Sequence, residues 1–93
     1  MDKIYQLKDE LLLTEKDEML YVLDYDNGRI HRFNQSAKVI FQLCLEPRTF
    51  AEIVREYRAY FDLGEPEAVG DVAGVLQRLA SYELFKKGGG PLP

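Results

Sequence analysis

The spacing of apolar residues changes once along this chain, from short runs in the first third to a helical period beyond Asn34. Glu10 to Thr14 is a Leu-rich run, Met19 to Tyr25 is rich in β-branched and aromatic residues, and Arg29 to Phe33 follows. These runs predict three strands. Asp26-Asn27-Gly28 separates the last two. Asn-Gly there predicts a hairpin, because both residues tolerate the positive φ of a type I′ turn.

Past Asn34, residues Ala37, Ile40, Phe41 and Cys44 fall on one helical face, which predicts a helix over 35–45 capped by Asn34 or Ser36 and ended by Pro47. Thr49-Phe50-Ala51-Glu52 is a capping box, where hydroxyl and carboxylate each satisfy an orphan backbone N–H. The helix behind it carries the stripe Phe50, Ile53, Val54, Tyr57 and Phe61. Gly64 and Pro66 interrupt the chain, and a third helix is predicted over 67–85. Its arc of Val69, Val72, Ala73, Val75, Leu76, Leu79, Ala80 and Tyr82 is wider than one core contact requires, so part of it is expected to face something else. Gly70 and Gly74 weaken that helix, which points to a close backbone approach or to tolerated weakness. The final Gly88-Gly89-Gly90-Pro91-Leu92-Pro93 predicts a flexible tail.

Ninety-three residues suffice for one core, so a single domain over 1–87 is expected with the tail at 88–93. The 46% hydrophobic and 30% charged residues are those of a chain that folds alone. A net charge of -4 disfavours a surface built for nucleic acid. Cys44 is the single cysteine, so no internal disulfide can form, and its apolar setting fits a reduced cytoplasmic protein. The N-terminus lacks a secretory pattern and no run approaches the ~18 apolar residues of a membrane span, so neither export nor membrane insertion is expected.

Catalysis finds little support. His31 is the single histidine, Cys44 lies far from it along the chain, and no Gly-rich loop follows a strand. Asp24 and Asp26 suit a turn, while Asp62, Glu65 and Glu67 suit a helix start, so no metal and no cofactor is expected. His31 lies on the face opposite Ile30, where an ordinary strand residue is favoured over a pH-sensitive contact. Arg29 and Arg32 fit an edge strand protected against aggregation, and a functional edge would look the same.

The order of elements, together with several short motifs, resembles the PqqD-like family, also called RiPP recognition elements. Phe33-Asn34-Gln35-Ser36-Ala37 is similar to the family's apolar-Asn-x-Ser/Thr-Ala/Gly junction, and Arg48-Thr49-Phe50-Ala51-Glu52-Ile53 to its R-T-x-x-E-I motif. Asp71-Val72, Leu76, Leu79 and Glu83-Leu84-Phe85 match its D-V-x-x-x-L-x-x-L pattern and apolar ending. Two departures stand out: Leu45-Glu46-Pro47-Arg48 replaces an acidic-Gly turn, and Glu83 replaces a Gly. The resemblance covers about residues 10–86 and includes the stand-alone type of lasso-peptide and radical-enzyme clusters.

What the resemblance implies is an α+β, winged-helix-like domain with a three-stranded antiparallel sheet followed by three helices. It further implies a non-enzymatic role: capturing a precursor's leader peptide as an added strand and presenting it to a modifying enzyme or leader protease. The implied peptide-binding residues are Arg29, Ile30, His31, Arg32 and Phe33 on the strand, with Asp71, Val72, Val75, Leu76, Leu79 and Tyr82 on the helix. Phe33, Leu76 and Leu79 could equally be core. Arg29, Arg32 and Arg78 could pair with acidic leader residues. A monomer or weak dimer is expected, since an open sheet edge permits pairing.

The main rival is a DNA-binding winged helix using Arg48, Arg55 and Arg58, or Arg78, Lys86 and Lys87. Glu52, Glu56, Glu65, Glu67 and Glu83 interrupt those cations, so no basic stripe forms and no nucleic-acid partner is expected. A generic protein–protein adaptor using the same groove is not separable at this level.

Overall fold

The computed structural model describes residues 3–86; Lys87 and the tail expected over 88–93 lie outside the described residues. Strands β1 (Ile4–Tyr5), β2 (Leu11–Lys16), β3 (Met19–Asp24) and β4 (Arg29–Phe33) precede helix α1 (Gln35–Leu43). Strand β5 (Arg48–Thr49) and helices α2 (Phe50–Phe61) and α3 (Glu65–Ser81) complete the chain. The main sheet is antiparallel in the order β2-β3-β4, and β1 pairs with β5 in a separate two-stranded ribbon. The three-stranded sheet with three helices after it is the α+β, winged-helix-like arrangement that the sequence predicts.

β3 shows why the sheet forms. Leu20, Val22 and Asp24 are buried while Met19, Tyr21 and Leu23 are half-buried, the two-residue period of a strand with one face on the core. Asp17 and Glu18 connect β2 to β3 with φ of 53° and 64°, the paired left-handed conformation of a type I′ turn. The hairpin expected at Asn27-Gly28 forms, but not through a type I′ turn there. The β3–β4 connection spans residues 25–28, and in it Gly28 alone has positive φ, at 65°. That loop is organised by Asp24, whose carboxylate accepts from the N–H groups of Asp26 (3.0 Å) and Asn27 (3.2 Å) and from the Asn27 amide (3.0 Å). The Lys8 ammonium bonds Oδ1, the oxygen that accepts from the two backbone N–H groups, at 2.9 Å. Burial alone would push the Asp24 carboxyl up, but these bonds outweigh it and hold it below the usual carboxylate range.

Asn34 caps α1 by accepting from the Ala37 N–H at 3.0 Å, and the helix ends at Leu43, two residues before the predicted end. Both halves of the Thr49–Glu52 capping box form, at 2.8 and 3.2 Å. α3 begins and ends earlier than predicted. Tyr82 is its C-cap, and Glu83 turns the chain in the left-handed region at φ 60°. A glycine adopts that conformation without a Cβ clash, which is the physical meaning of the family's usual Gly here. Leu84 then drops into the core, and Phe85 bridges to Leu7.

The N-terminal segment has a role that the apolar pattern does not show. Its backbone bonds to three places: Leu7 N–H to Cys44 O, Lys8 N–H to Leu84 O, and Gln6 O to Lys86 N–H. It therefore straps the end of α3 to the end of α1. The core between sheet and helices is built on Leu20, Val22, Phe33, Ile40, Phe41, Ile53, Tyr57, Val72, Leu76 and Leu79.

Gly70 and Gly74 lie on the exposed side of α3, and a Cβ added at either meets no atom within 4 Å. No close backbone approach explains them. Gly70→Ala and Gly74→Ala are each expected to stabilise the fold by about 0.5–1 kcal/mol, read as a rise in thermal midpoint by circular dichroism.

Candidate functional site

The hydrogen-bond alternation of the sheet fixes which backbone groups remain open. In an antiparallel pair, opposed residues alternately exchange both backbone bonds or none. The two-residue turn makes Lys16 and Met19 a bonded pair, and the same ladder continues to the bond from Tyr25 N–H to Glu10 O at 3.1 Å. The odd-numbered residues of β3 are thus committed to β2. Leu20, Val22 and Asp24 face β4, where their partners are Phe33, His31 and Arg29. Ile30 and Arg32 therefore hold their N–H and C=O groups away from β3, and β4 has no further strand beside it among the described residues.

Side chains follow the same alternation. Arg29, His31 and Phe33 point toward the helices, while Ile30 and Arg32 point to the outer face of the sheet. Ile30 is 71% exposed, the most open of the large hydrophobic residues among the described residues, and it stands opposite Leu23, which stands opposite Leu12. An apolar row thus crosses the outer face. The Leu-Leu-Leu run of β2 conceals that row in the sequence, because it reads as apolar on both faces.

On the inner side, the end of α3 closes against β4. The His31 ring stacks on Tyr82 at 4.4 Å between centroids and 17° between planes. The Arg78 guanidinium lies 5.6 Å from the Phe33 ring centre, and Phe33 and Tyr82 are 6.4 Å apart. Beyond them, Asp71, Val75 and Arg78 meet Asn34, Ser36 and Tyr57 around a depression of about 270 Å³. The Tyr57 hydroxyl donates to Asp71 at 2.9 Å, which fixes one wall. Tyr57, Asn34 and Ser36 are legible in the sequence only as a core stripe and a helix cap, because their meeting with α3 depends on how the helices cross.

Not every residue implied by the resemblance reaches the surface. Phe33, Val72, Leu76 and Leu79 are core residues, each 4% exposed or less, and they hold α3 against the sheet instead of lining the opening. Arg29, Ile30, Arg32, Asp71 and Arg78 are exposed, and His31, Val75 and Tyr82 are half-buried. His31, Tyr82 and Arg78 meet where α3 closes on β4, and Asp71, Val75 and Arg78 line the depression beside it, whereas Ile30 and Arg32 contribute open backbone groups with their side chains on the outer face. Arg29, Arg32 and Arg78 make no ion pair among the described residues, whereas Arg55 and Arg58 lie 4.0 Å from Glu56 and Glu65. Arg48 donates to Leu43 O at 3.0 Å. The α2 cations are thus met by carboxylates or backbone and form no basic stripe.

Burial pushes the Cys44 thiol up to about 12, so no thiolate forms near neutral pH. Among the described residues no group of three or more His, Cys, Asp or Glu side chains could hold a metal ion, and no helix is long and apolar enough to cross a membrane.

His31 Nε2 is buried without a hydrogen-bond partner. Burial holds the imidazole below its ordinary 6.5; Asp24 opposes this, and the charges of Arg29 and Lys8 add to it. The unfolded chain therefore binds this proton more readily than the folded one. No penalty exists well above pH 6.5, and one grows as pH falls through 6.5 and levels off below the folded value. Between pH 7.5 and 5.5 the thermal midpoint is expected to fall more in the parent protein than in a folded His31→Phe variant. Equal falls would show that His31 does not carry the effect.

Comparison with known proteins agrees with this architecture. Residues 20–84 match the family described as coenzyme PQQ synthesis protein D (PqqD). No curated protein matches. A solved structure described as TbiB1 in complex with the TbiA(beta) leader peptide is similar with a TM-score of 0.76 at 22% identity, covering 88% of this chain and 95% of that one. A lasso peptide synthetase B1 complexed with the leader peptide is similar with a TM-score of 0.73 at 20% identity, covering 88% and 96%. At these identities the structures speak for the fold, while the matched residues span more than half of the sequence. This chain belongs to the PqqD family.

Proposed function

We propose that this protein binds the leader segment of a ribosomally made precursor peptide as an additional strand on β4, and presents it to a modifying enzyme or leader protease without catalysing a reaction itself. The observation that carries this is the pair of unpartnered backbone positions, Ile30 and Arg32, running beside a trough walled by α3. Main-chain bonds to those positions supply affinity that depends little on sequence, and side chains at alternate positions of the visitor enter the trough to supply selectivity. Membership of the PqqD family supports the reading, as does similarity to two structures described as leader-peptide complexes.

The trough also suggests what the visitor carries. Its inward side chains meet His31, Tyr82 and Val75, an aromatic and aliphatic wall. Arg29, Arg32 and Arg78 favour carboxylates at its margins, each exposed pair adding roughly 0.2–1 kcal/mol. DNA is the weaker reading, because these arginines flank a strand edge and the α2 cations are already matched. The leader-capturing role implies a cytoplasmic protein, and the free, buried Cys44 supports that reading.

Titration with a synthetic leader peptide encoded beside this chain is expected to give a saturable complex of micromolar affinity or tighter, about -8 kcal/mol. Raising the salt should weaken it far less than it would a DNA complex. Ile30→Pro removes an N–H that β3 does not use, so the fold should persist while peptide binding is lost. Unchanged affinity in the folded variant would overturn the proposal.

A further inference from the structure

The sheet has a second open border. By the same alternation, Leu11, Leu13 and Glu15 direct their backbone groups away from β3, and no strand covers them among the described residues. The Leu11 N–H is already bonded to Asp9 O at 2.8 Å, but the Leu11 carbonyl and both groups of Leu13 and Glu15 have no such local partner. β2 is six residues long, contains no proline and has no bulge, so of the usual devices that stop strand-to-strand association it carries only charges, Glu15 and Lys16. Its Leu12 is 50% exposed on the outer face.

We propose that β2 is a self-recognition edge that pairs antiparallel with β2 of a second copy of this chain, about a two-fold axis at Leu13. Charge separates the central registers that satisfy the alternation, those centred on Leu12, Leu13 and Thr14. Centred on Leu12, the pairing would oppose Lys8 to Lys16 and Asp9 to Glu15, like against like. Centred on Thr14, it would leave Lys16 opposite Leu12 and Glu15 opposite Leu13. Centred on Leu13, it sets Glu10 of each copy directly opposite Lys16 of the other. Neither of these two side chains has an ionic partner among the described residues of its own chain. In this register Leu13 exchanges backbone bonds with its counterpart, and Glu15 N–H meets the Leu11 carbonyl, twice by symmetry.

The outer face supplies an apolar contribution. With Leu13 on the axis, Leu12 stands opposite Thr14 and diagonal to the other Leu12, within reach of a long side chain. The rows Leu12–Leu23–Ile30 of the two copies then join into one. The outward positions of the main sheet are Leu12, Thr14, Lys16, Met19, Tyr21, Leu23, Ile30 and Arg32, with no carboxylate among them. Both β4 strands end on the outside of the six-stranded sheet so formed, which leaves each free. The pairing is isologous and closes at two copies.

Sedimentation equilibrium of the whole chain tests this. The weight-average mass should rise from 10.8 kDa toward twice that value as concentration increases from about 10 µM to about 1 mM, the range of a small, weak interface. Lys16→Glu and Glu10→Lys, each checked for folding by circular dichroism, should each weaken association at least about tenfold, and the double exchange should restore it. A mass that stays at 10.8 kDa throughout overturns the proposal. So does a folded double variant that fails to recover, since the register would then be wrong. Saturating leader peptide should leave the dimer intact; if it dissociates the dimer, the copies meet through β4 and not β2. Loss of leader binding alone, with association unchanged, would count against the proposed function and not against this edge.

Discussion

Ile30 and Arg32 present N–H and C=O groups on a side of the sheet where no other strand stands, and the rest of the molecule is arranged around that fact. A strand edge in water is not costly in itself, because solvent satisfies it. Under the proposed function it becomes a binding site when the visiting backbone exchanges those bonds while its side chains leave water for a prepared wall. Here the wall is α3. The stack of His31 on Tyr82 and the Arg78 guanidinium over Phe33 join the edge to the helix at the points where inward-facing visitor side chains would arrive.

The wall stays in place because other parts of the chain hold it. Val72, Leu76 and Leu79 anchor α3 in the core, and Glu83 turns the chain so that Leu84 can follow them. The N-terminal strap then ties Leu84 and Lys86 back to Lys8 and Gln6. At the other end of the edge, Asp24 sets the β3–β4 loop and is itself fixed by Lys8. One short segment thus reaches both the loop before β4 and the turn after α3. Truncating it would disturb the trough from two directions without touching it.

Much of this was legible in the sequence. The β-branched and aromatic run from Met19 to Tyr25, the Asn34 cap and the Thr49–Glu52 box gave the strands and helix starts, since each rests on local chemistry that tertiary packing does not override. The turn assignment failed for an instructive reason. Asn-Gly is the better type I′ pair by propensity, but the strand register placed the two-residue turn at Asp17-Glu18, and the Asp24 carboxylate built a different loop at Asn27-Gly28. The N-terminal strap was invisible because its bonds run from backbone to distant backbone and leave no periodic trace. In the site, residue type could not separate Val72, Leu76 and Leu79 from Val75, since all four fit one apolar arc and only the crossing of α3 over the sheet decides which of them is covered.

Amide hydrogen exchange, resolved residue by residue, tests the central claim most directly. In the free protein Ile30 and Arg32 should exchange quickly while His31 and Phe33, bonded to β3, exchange slowly. Saturation with a leader peptide should slow Ile30 and Arg32 and leave the β2 amides unchanged. Slow exchange at Ile30 and Arg32 before any peptide is added, or no change after a complex has formed, would contradict the account.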